Sequence, residues 1–234
     1  MGTELVLALG HGERLVAVDA ASEALPGARG VPVTESAKAG AYTPDLVLVP
    51  TAEASAVRRA APSALHIEVA PHNFDDAWAL CQSLGAALGS EGDARRFVRE
   101  TTRPLAELGV ESFGKRRPRV AAVLALEPLE IAGGHSFATD LIEVAGGESV
   151  SHGTEDARLS WSAEQLAGAK AELIVIVTAQ PHSPEERERI SRFFGADPPV
   201  EFLVLDAERD WLTEGLPAAR RVHAWIERQR ERKP

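Results

Sequence analysis

Two short glycine motifs could bind phosphate groups, and neither is complete. Residues 109–115 (GVESFGK) nearly match a phosphate-binding loop, but Arg116 stands where a serine or threonine must hold magnesium. A predicted helix precedes this loop and a predicted strand follows it, the reverse of the order that places a helix dipole against phosphate. The stretch Gly10-His11-Gly12 lacks the third glycine of a dinucleotide fingerprint. We therefore expect no nucleotide site.

Motifs for hydrolysis and for metal binding are also missing from the sequence. It has no G-x-S-x-G elbow to hold a nucleophilic serine, and its seven histidines show no H-x-x-x-H spacing. The corrinoid-enzyme pattern D-x-H-x-x-G is absent as well. A three-histidine metal site assembled from distant loops stays an alternative. We predict a protein that is not an enzyme and that carries no metal ion or other cofactor of its own.

Composition excludes further classes of function. The net charge of -10 and the isoelectric point near 5.2 argue against nucleic-acid binding, which needs clustered Lys and Arg. No stretch has the roughly 18 consecutive apolar residues of a membrane span. The first four residues lack the basic and then apolar start of a signal peptide. The single cysteine, Cys81, lies among apolar residues of a predicted helix, so we expect it in the core.

Short apolar runs alternate with helical patterns and predict two α/β layer structures. The predicted strands are residues 15–18, 45–49, 65–69, 119–126, 173–177 and 202–205, and the predicted helices are residues 3–9, 35–41, 52–60, 74–88, 136–145, 162–169, 184–194 and 216–230. Strands that alternate with helices imply parallel sheets. Ligands sit at the carboxyl ends of parallel strands, so we expect the loops that follow these strands to form one cleft.

A charged helical pattern over residues 90–115 separates the two halves. Its apolar residues fall on one narrow stripe and its charged residues cover the other faces. We predict a long helix that joins the halves, with a kink near Arg103 because Pro104 removes a backbone hydrogen bond. Two shorter helices with a turn at Pro104 are the alternative.

The stretch 131–150 (IAGGHSFATDLIEVAGGESV) is a glycine-rich loop that leads into a helix. Ser136 is placed to cap the first turn, and Gly146-Gly147 supplies the left-handed residue that ends helices. The first N–H groups of such a helix have no partner within it and can face a ligand.

This stretch resembles the helical-backbone class of periplasmic substrate-binding proteins, which serve ABC importers of cobalamin, haem and ferric siderophores. The resemblance covers nearly the whole chain. The matching stretches are Thr3-Glu4-Leu5 with Leu9-Gly10, Pro44-Asp45-Leu46-Val47, residues 75–85, Phe137 to Gly147 followed by Glu148, Ser162-Ala-Glu164-Gln165-Leu166, and Asp210-Trp211. Single pieces are weak, but all of them occur in the family's order.

The resemblance implies an α/β fold of two Rossmann-like lobes with parallel sheets, joined by a long backbone helix, with the ligand cleft between the lobes. The N-terminal lobe would be residues 1–89, the backbone helix residues 90–116 and the C-terminal lobe residues 117–234. The family also has a strand ahead of its T-E-L helix, and here the chain begins at that helix. We expect either a start that lies upstream, with export to the periplasm or cell surface, or a cytoplasmic version.

Within the family, the cobalamin-binding subgroup is the first choice, because G-G-H-S-F and Asp210-Trp211 look most like it. The implied ligand-binding residues are His135, Ser136, Trp161, Asp210, Trp211, Arg158, Asp19 and His72. The aromatic residues that sandwich the corrin in that subgroup align with Ala21, Pro50 and Arg158. The stacking surface must therefore differ, and Trp161 and Trp211 could replace part of it.

The resemblance also implies a permease partner. One glutamate on each lobe of the family pairs with permease arginines, and Glu164 matches the glutamate of the second lobe. The first-lobe position aligns with Ala37, so Glu35 would have to substitute. We expect a monomer that binds cobalamin or a related metal chelate without altering it. The alternatives are a ferric siderophore or haem carrier of the same class, or a cytoplasmic corrinoid-handling protein.

Overall fold

The structure is a computed structural model that describes residues 1–195, 198–205 and 211–232, without the side chains of 211–213. The chain forms two compact units. The first comprises Met1–Pro71 and Asp75–Glu100, and the second comprises His72–Phe74 and Thr101–Pro234. Three residues of the second unit thus lie within the sequence of the first.

The first unit is mainly helical, with a sheet of two strands. Its elements are α1 (Gly2–Ala8), β1 (Leu46–Val49), α2 (Ala54–Ala60), β2 (Leu65–Glu68) and most of α3 (Phe74–Leu88), together with 3-10 helices at Gly12–Arg14, Pro26–Ala28, Ser36–Tyr42 and Thr51–Glu53. The two strands are parallel, with Leu46 opposite Leu65 and Val49 opposite Glu68. The predicted parallel pair is confirmed here.

Two predictions for this unit were wrong. Residues 15–18 do not form a strand, because Val18 makes only an isolated bridge to Val33 and Val16 is 48% exposed. The predicted helix at 35–41 is a 3-10 helix at Ser36–Tyr42. An apolar run of four residues predicts a buried strand. Here its side chains are divided between core and solvent, and the run does not pair with a neighbouring strand.

The long helix α4 spans Glu91–Glu111 and continues through Pro104. The alternative of two helices separated by a turn is therefore wrong. Ala94, Leu105 and Leu108 are buried, which confirms the narrow apolar stripe. The division between the two compact units falls inside α4, after Glu100.

The second unit is built on one sheet of six strands. Its elements after α4 are β3 (Arg119–Leu126), β4 (Leu129–Ala132), α5 (Phe137–Val144), β5 (Glu148–Ser149), β6 (Arg158–Ser160), α6 (Ala163–Gly168), β7 (Leu173–Thr178), α7 (Pro184–Phe194), β8 (Val200–Val204) and α8 (Trp211–Arg232). The strand order is β6-β4-β3-β7-β8, and β5 also pairs with β3.

This sheet is mixed, which corrects the prediction of a purely parallel sheet. Strands β3, β7 and β8 are parallel, as expected. Strand β5, which was not predicted, also pairs parallel with β3, whereas β4 is antiparallel to both β3 and β6. Strands β4, β5 and β6 were not predicted; they have four, two and three residues, and each includes polar side chains. Strand β1 is as short as β4, but its four residues are all apolar, and it was predicted.

The core of the second unit lies along β3 and β7. Val120, Val123 and Ile174 are at most 1% exposed, and they come from strands whose apolar runs were predicted to be buried. Helix α8 buries Val222 and Ile226, four residues apart on one face. Among the described helices, none combines the length and the apolarity that crossing a bilayer requires.

Candidate functional site

The glycine-rich loop that follows β4 is tied to the first turn of α5, as the sequence predicted. Ser136 is the N-cap residue, and its Oγ accepts a hydrogen bond from the backbone N–H of Thr139 at 3.2 Å. The same hydroxyl donates to the carbonyl oxygen of Gly133 at 2.7 Å. Ser136 is buried, so its cap role is structural, and the ligand contact inferred for it stays a prediction.

A chain of buried hydroxyls lies behind this loop. Thr139 Oγ1 donates to the carbonyl oxygen of Gly133 at 2.7 Å and lies 3.2 Å from Ser149 Oγ. Ser149 Oγ lies 3.0 Å from Ser151 Oγ, which donates to the carbonyl oxygen of Ala132. All three hydroxyl residues are at most 3% exposed. A buried polar group without a hydrogen-bond partner destabilises the folded protein, so these linked hydrogen bonds hold the loop in one conformation.

Gly133 allows the loop to pack directly on the backbone that leads into β6. Its N–H donates to the carbonyl oxygen of Ala157 at 3.0 Å, and the N–H of His135 donates to that of Asp156 at 3.2 Å. A Cβ atom on Gly133 would lie only 2.0 Å from the carbonyl oxygen of Asp156. The close approach therefore requires glycine, and it fixes the position of the backbone that leads to His135.

A double-glycine turn and two arginines anchor the far end of α5. Gly146 has a φ of +91°, and the N–H of Gly147 donates to the carbonyl oxygen of Ile142 at 2.9 Å, as in a Schellman motif. Arg117 Nε donates to the carbonyl oxygen of Gly147 at 2.9 Å, and Arg230 Nη2 donates to that of Gly146 at 2.8 Å. Positive charge at a helix C-terminus is favourable, so both ends of α5 are fixed.

An open concavity of about 410 Å³ lies against this loop. Gly134, His135, Thr154 and Glu155 line it. Thr154 Oγ1 accepts a hydrogen bond from the N–H of Gly134 at 2.7 Å and donates to the carbonyl oxygen of Ser151 at 2.9 Å. The concavity thus presents an imidazole and a carboxylate on a loop whose backbone is held in place.

The segment His72–Phe74 lies beside His135. Asn73 Nδ2 lies 2.9 Å from Nδ1 of His135, and the ring of His72 lies 6.0 Å from that of His135, tilted by 57°. The sequence predicted His135 and His72 as binding residues, and the structure brings the two together. Asn73 was not among the residues predicted to bind the ligand.

The next residue also joins this segment to α5. The backbone N–H of Phe74 donates to Asp140 Oδ2 at 2.8 Å. The rings of Phe74 and Phe137 meet edge to face, with centroids 5.5 Å apart. Asp140 therefore satisfies one of the first N–H groups of α3 from a helix 66 residues away in sequence.

The remaining predicted residues of the second unit lie on or near β6. Arg158 is exposed on this edge strand opposite Ala132, and it pairs with Glu130 at 3.1 Å. Trp161 follows the strand and packs, half-buried, against the core formed by β3 and β7. Asp210 lies outside the described residues, and Trp211 is the first residue of α8, with a side chain that is not described.

Two further predicted residues lie in the first unit, and one lies on α6. Asp19 accepts hydrogen bonds from the N–H and the hydroxyl of Ser22, at 2.8 and 3.1 Å. Glu35 is exposed and pairs with Lys38 at 3.0 Å. Glu164 lies fully exposed in the first turn of α6, and a hydrogen bond to the Ser162 side chain lowers the pKa of its carboxyl.

Asn73, Thr154 and Glu155 were not predicted as neighbours of His135. Thr154 and Glu155 lie in the turn ahead of β6, a strand that was itself not predicted. The spacing of the loop gave no indication of them, because their approach depends on the pairing of β4 with β6.

Comparison with solved structures decides the fold. A possible iron-binding periplasmic solute-binding protein of Staphylococcus epidermidis superposes with a TM-score of 0.75 at 16% identity, over 97% of this chain and 94% of that one. The periplasmic haem-binding protein HutB of Vibrio cholerae gives a TM-score of 0.76 at 14% identity, over 96% and 95%. This chain has the fold of the periplasmic solute-binding proteins.

The periplasmic vitamin B12-binding protein BtuF of Vibrio cholerae shares the same fold. It superposes with a TM-score of 0.69 at 18% identity, over 96% of this chain and 92% of that one. No protein-family model matches the sequence, and no curated protein matches it. The α/β fold expected from the sequence resemblance is confirmed at the level of structure.

Proposed function

We propose that this protein is the substrate-binding component of an ABC importer and that it carries a metal chelate, with a corrinoid such as cobalamin as the first candidate. The observation that carries the proposal is the similarity to solute-binding proteins over at least 96% of the chain in three comparisons. The protein would act outside the cytoplasmic membrane, bind its ligand without a chemical step, and deliver it to a permease.

The chemistry of the concavity in the second unit supports a corrinoid over haem. Glu155 lines the concavity together with His135. A haem carries two carboxylates, which a neighbouring glutamate would repel, whereas the periphery of a corrinoid carries neutral amides. An imidazole can exchange a hydrogen bond with such an amide.

A specific observation favours haem as the second candidate. The rings of His72 and His135 lie 6.0 Å apart, and imidazole is a common iron ligand. A haem that approached this pair could use one of the two rings as its axial ligand.

Titration calorimetry with cyanocobalamin, haemin and a ferric siderophore tests the proposal. We expect saturable heat with the corrinoid. Saturation with haemin or the siderophore alone would overturn the corrinoid assignment, and no heat with any chelate would overturn the proposed function.

Glu155→Gln separates the two candidates further. Removal of this carboxylate should strengthen haemin binding and leave the corrinoid affinity within about twofold, because only the haem carries carboxylates of the same negative charge. Glu185→Gln is the matched control, since Glu185 is an exposed glutamate in the first turn of α7. An equal effect of both substitutions on haemin would show that net charge, and not the concavity, is responsible.

Docking on the permease is proposed to use Glu164 on α6 and Glu35 in the first unit. Glu164→Lys should reduce uptake of labelled ligand by cells that carry the importer, while ligand affinity stays unchanged. Glu185→Lys again serves as the control, because both residues lie in the first turn of an exposed helix. Equal uptake by the two variants would contradict this role.

A further inference from the structure

The C-terminal end of α4 carries the two most exposed large apolar side chains among the described residues. Phe113 is 90% exposed, and Val110, three positions before it, is 73% exposed. An apolar side chain left in water forgoes the free energy that its burial would supply. Single exposed apolar residues are common, but here two lie close together in the chain, and one is an almost fully exposed aromatic ring.

The backbone around Phe113 is anchored, and it holds the ring in solvent. The N–H of Phe113 donates to the carbonyl oxygen of Val110 at 3.0 Å, and that of Lys115 donates to that of Ser112 at 3.2 Å. Ser112 is buried, with its hydroxyl 3.3 Å from Nδ1 of His223 in α8. The turn therefore directs Ser112 into the second unit and leaves Phe113 outside it.

Three cations follow the exposed ring directly in the sequence. Lys115, Arg116 and Arg117 are exposed, and the end of α8 lies beside them, because Arg230 Nε donates to the carbonyl oxygen of Arg116 at 2.8 Å. Residues 110–117 carry three cations and one carboxylate, and residues 227–232 carry three cations and two carboxylates. These two segments are therefore positive in a chain whose net charge is -10.

Each of the three cations has a carboxylate partner at the surface. The pairs are Lys115 with Glu227 at 3.0 Å, Arg117 with Glu143 at 3.0 Å, and Arg116 with Glu172. The cationic side chains are 43%, 44% and 61% exposed in these pairs. Exposed ion pairs contribute little to stability, so the cations can turn to another anion that approaches the same surface.

The size of the apolar surface argues against a protein chain as its partner. Phe113 and Val110 together expose on the order of 300 Å², whereas a stable protein interface buries about 800 Å² on each side. A lipid bilayer needs less apolar area. A few apolar side chains enter the boundary between headgroups and acyl chains, and neighbouring basic residues contact anionic headgroups.

We propose that the end of α4 is a contact site for an anionic lipid surface, where Phe113 enters the boundary between headgroups and acyl chains and the cations of residues 115–117 contact lipid phosphates. This inference goes beyond the proposed function, because it requires neither a chelate nor a permease. Such a contact would hold the protein at a membrane surface whether or not a ligand is bound.

Sedimentation with sucrose-loaded vesicles tests the contact on the full chain without ligand. We expect the wild type to bind vesicles of three parts phosphatidylcholine and one part phosphatidylglycerol. Binding to pure phosphatidylcholine should be about tenfold weaker, because the cations then face no net negative charge. Binding to the anionic vesicles should weaken as salt is raised, since the cations are exposed.

Two substitutions and their matched controls locate the contact. Phe113→Ser should lower partition onto anionic vesicles about tenfold, because the ring no longer enters the bilayer. Phe193→Ser should change it less than about twofold, since Phe193 is 57% exposed on α7, a helix with as many glutamates as arginines. Arg116→Gln should lower partition about fivefold, and Arg189→Gln, the same change of charge at an exposed position of α7, should not.

Other outcomes overturn the inference. No binding of the wild type to anionic vesicles, or equal binding by Phe113→Ser, would exclude the lipid contact. Equal losses in Arg116→Gln and Arg189→Gln would show that net charge alone is responsible. A wild-type dimer that dissociates in Phe113→Ser, measured by sedimentation velocity without vesicles, would assign the surface to a second copy of the chain instead. These measurements contain no chelate, so they leave the proposed function to its own test.

Discussion

Gly133→Ala should destabilise the second unit strongly, because the loop before α5 packs backbone on backbone. The added Cβ would lie 2.0 Å from the carbonyl oxygen of Asp156, whereas such contacts are essentially never below 3.0 Å. The two segments would have to separate by about 1 Å or more. That movement breaks or weakens two backbone hydrogen bonds, those that end on the carbonyl oxygens of Ala157 and Asp156, at 3.0 and 3.2 Å.

The expected cost follows from these contacts. Each hydrogen bond contributes about 0.5–1.5 kcal/mol, and forcing extra volume into a packed site costs about 1–3 kcal/mol. We therefore expect Gly133→Ala to lower the free energy of unfolding by about 2–6 kcal/mol. Urea unfolding followed by the fluorescence of the four tryptophans measures it.

Gly153→Ala is the matched control, because it lies in the neighbouring turn and its added Cβ would meet nothing within 4 Å. We expect that variant to unfold within about 0.5 kcal/mol of the wild type. If both variants unfold at the same urea concentration, the loop does not approach Asp156 as described, and this contact does not position His135.

Three further outcomes are expected. A hydrogen bond from the Ser183 N–H lowers the pKa of the Glu186 carboxyl. This hydrogen bond therefore stabilises the fold fully above the ordinary glutamate pKa, and its contribution is lost as pH falls through the lowered pKa of the folded state. Glu186→Gln should accordingly reduce the dependence of the free energy of unfolding on pH at acid pH. Burial raises the pKa of Cys81 to about 11, so about one thiol in 1000 is ionised at pH 8, and Ellman's reagent should react only after unfolding. Pro104→Ala should raise the free energy of unfolding by about 2 kcal/mol. Alanine restores a helix hydrogen bond, and this gain is partly offset because the unfolded chain becomes more flexible without the proline.

Each of these has a result that would contradict it. If the free energy of unfolding depends on pH in the same way in Glu186→Gln and in the wild type, the fold does not favour the charged form of the Glu186 carboxyl. Modification of Cys81 at the same rate in native and denatured protein would place the thiol at the surface. A lower unfolding midpoint for Pro104→Ala, measured against Gly92→Ala in the same helix, would mean that proline is required there.

How far the sequence predicted the fold depended on the length of each apolar run. Strand β3 and helices α3 and α7 begin and end where predicted, because eight or more residues carry the pattern. Strands β4, β5 and β6 were not predicted, because short segments that include polar residues owe their conformation to pairing partners elsewhere in the chain. The equally short β1 was predicted because all four of its residues are apolar.

The candidate site was predicted only in part, for the same physical reason. The loop around His135 was recognisable from its own residues, including the cap at Ser136 and the turn at Gly146. The neighbours Asn73 and Thr154 approach it from segments 62 and 20 residues away along the chain, and local sequence does not encode such contacts.

The insertion of His72–Phe74 into the second unit determines how this protein can be divided. A fragment that starts at residue 101 would contain the sheet of β3, β7 and β8 but would leave Asp140 and His135 without the amide and backbone groups that now face them. The second unit is thus discontinuous in sequence, and separate expression of it would require a tripeptide from the other half to be supplied as well.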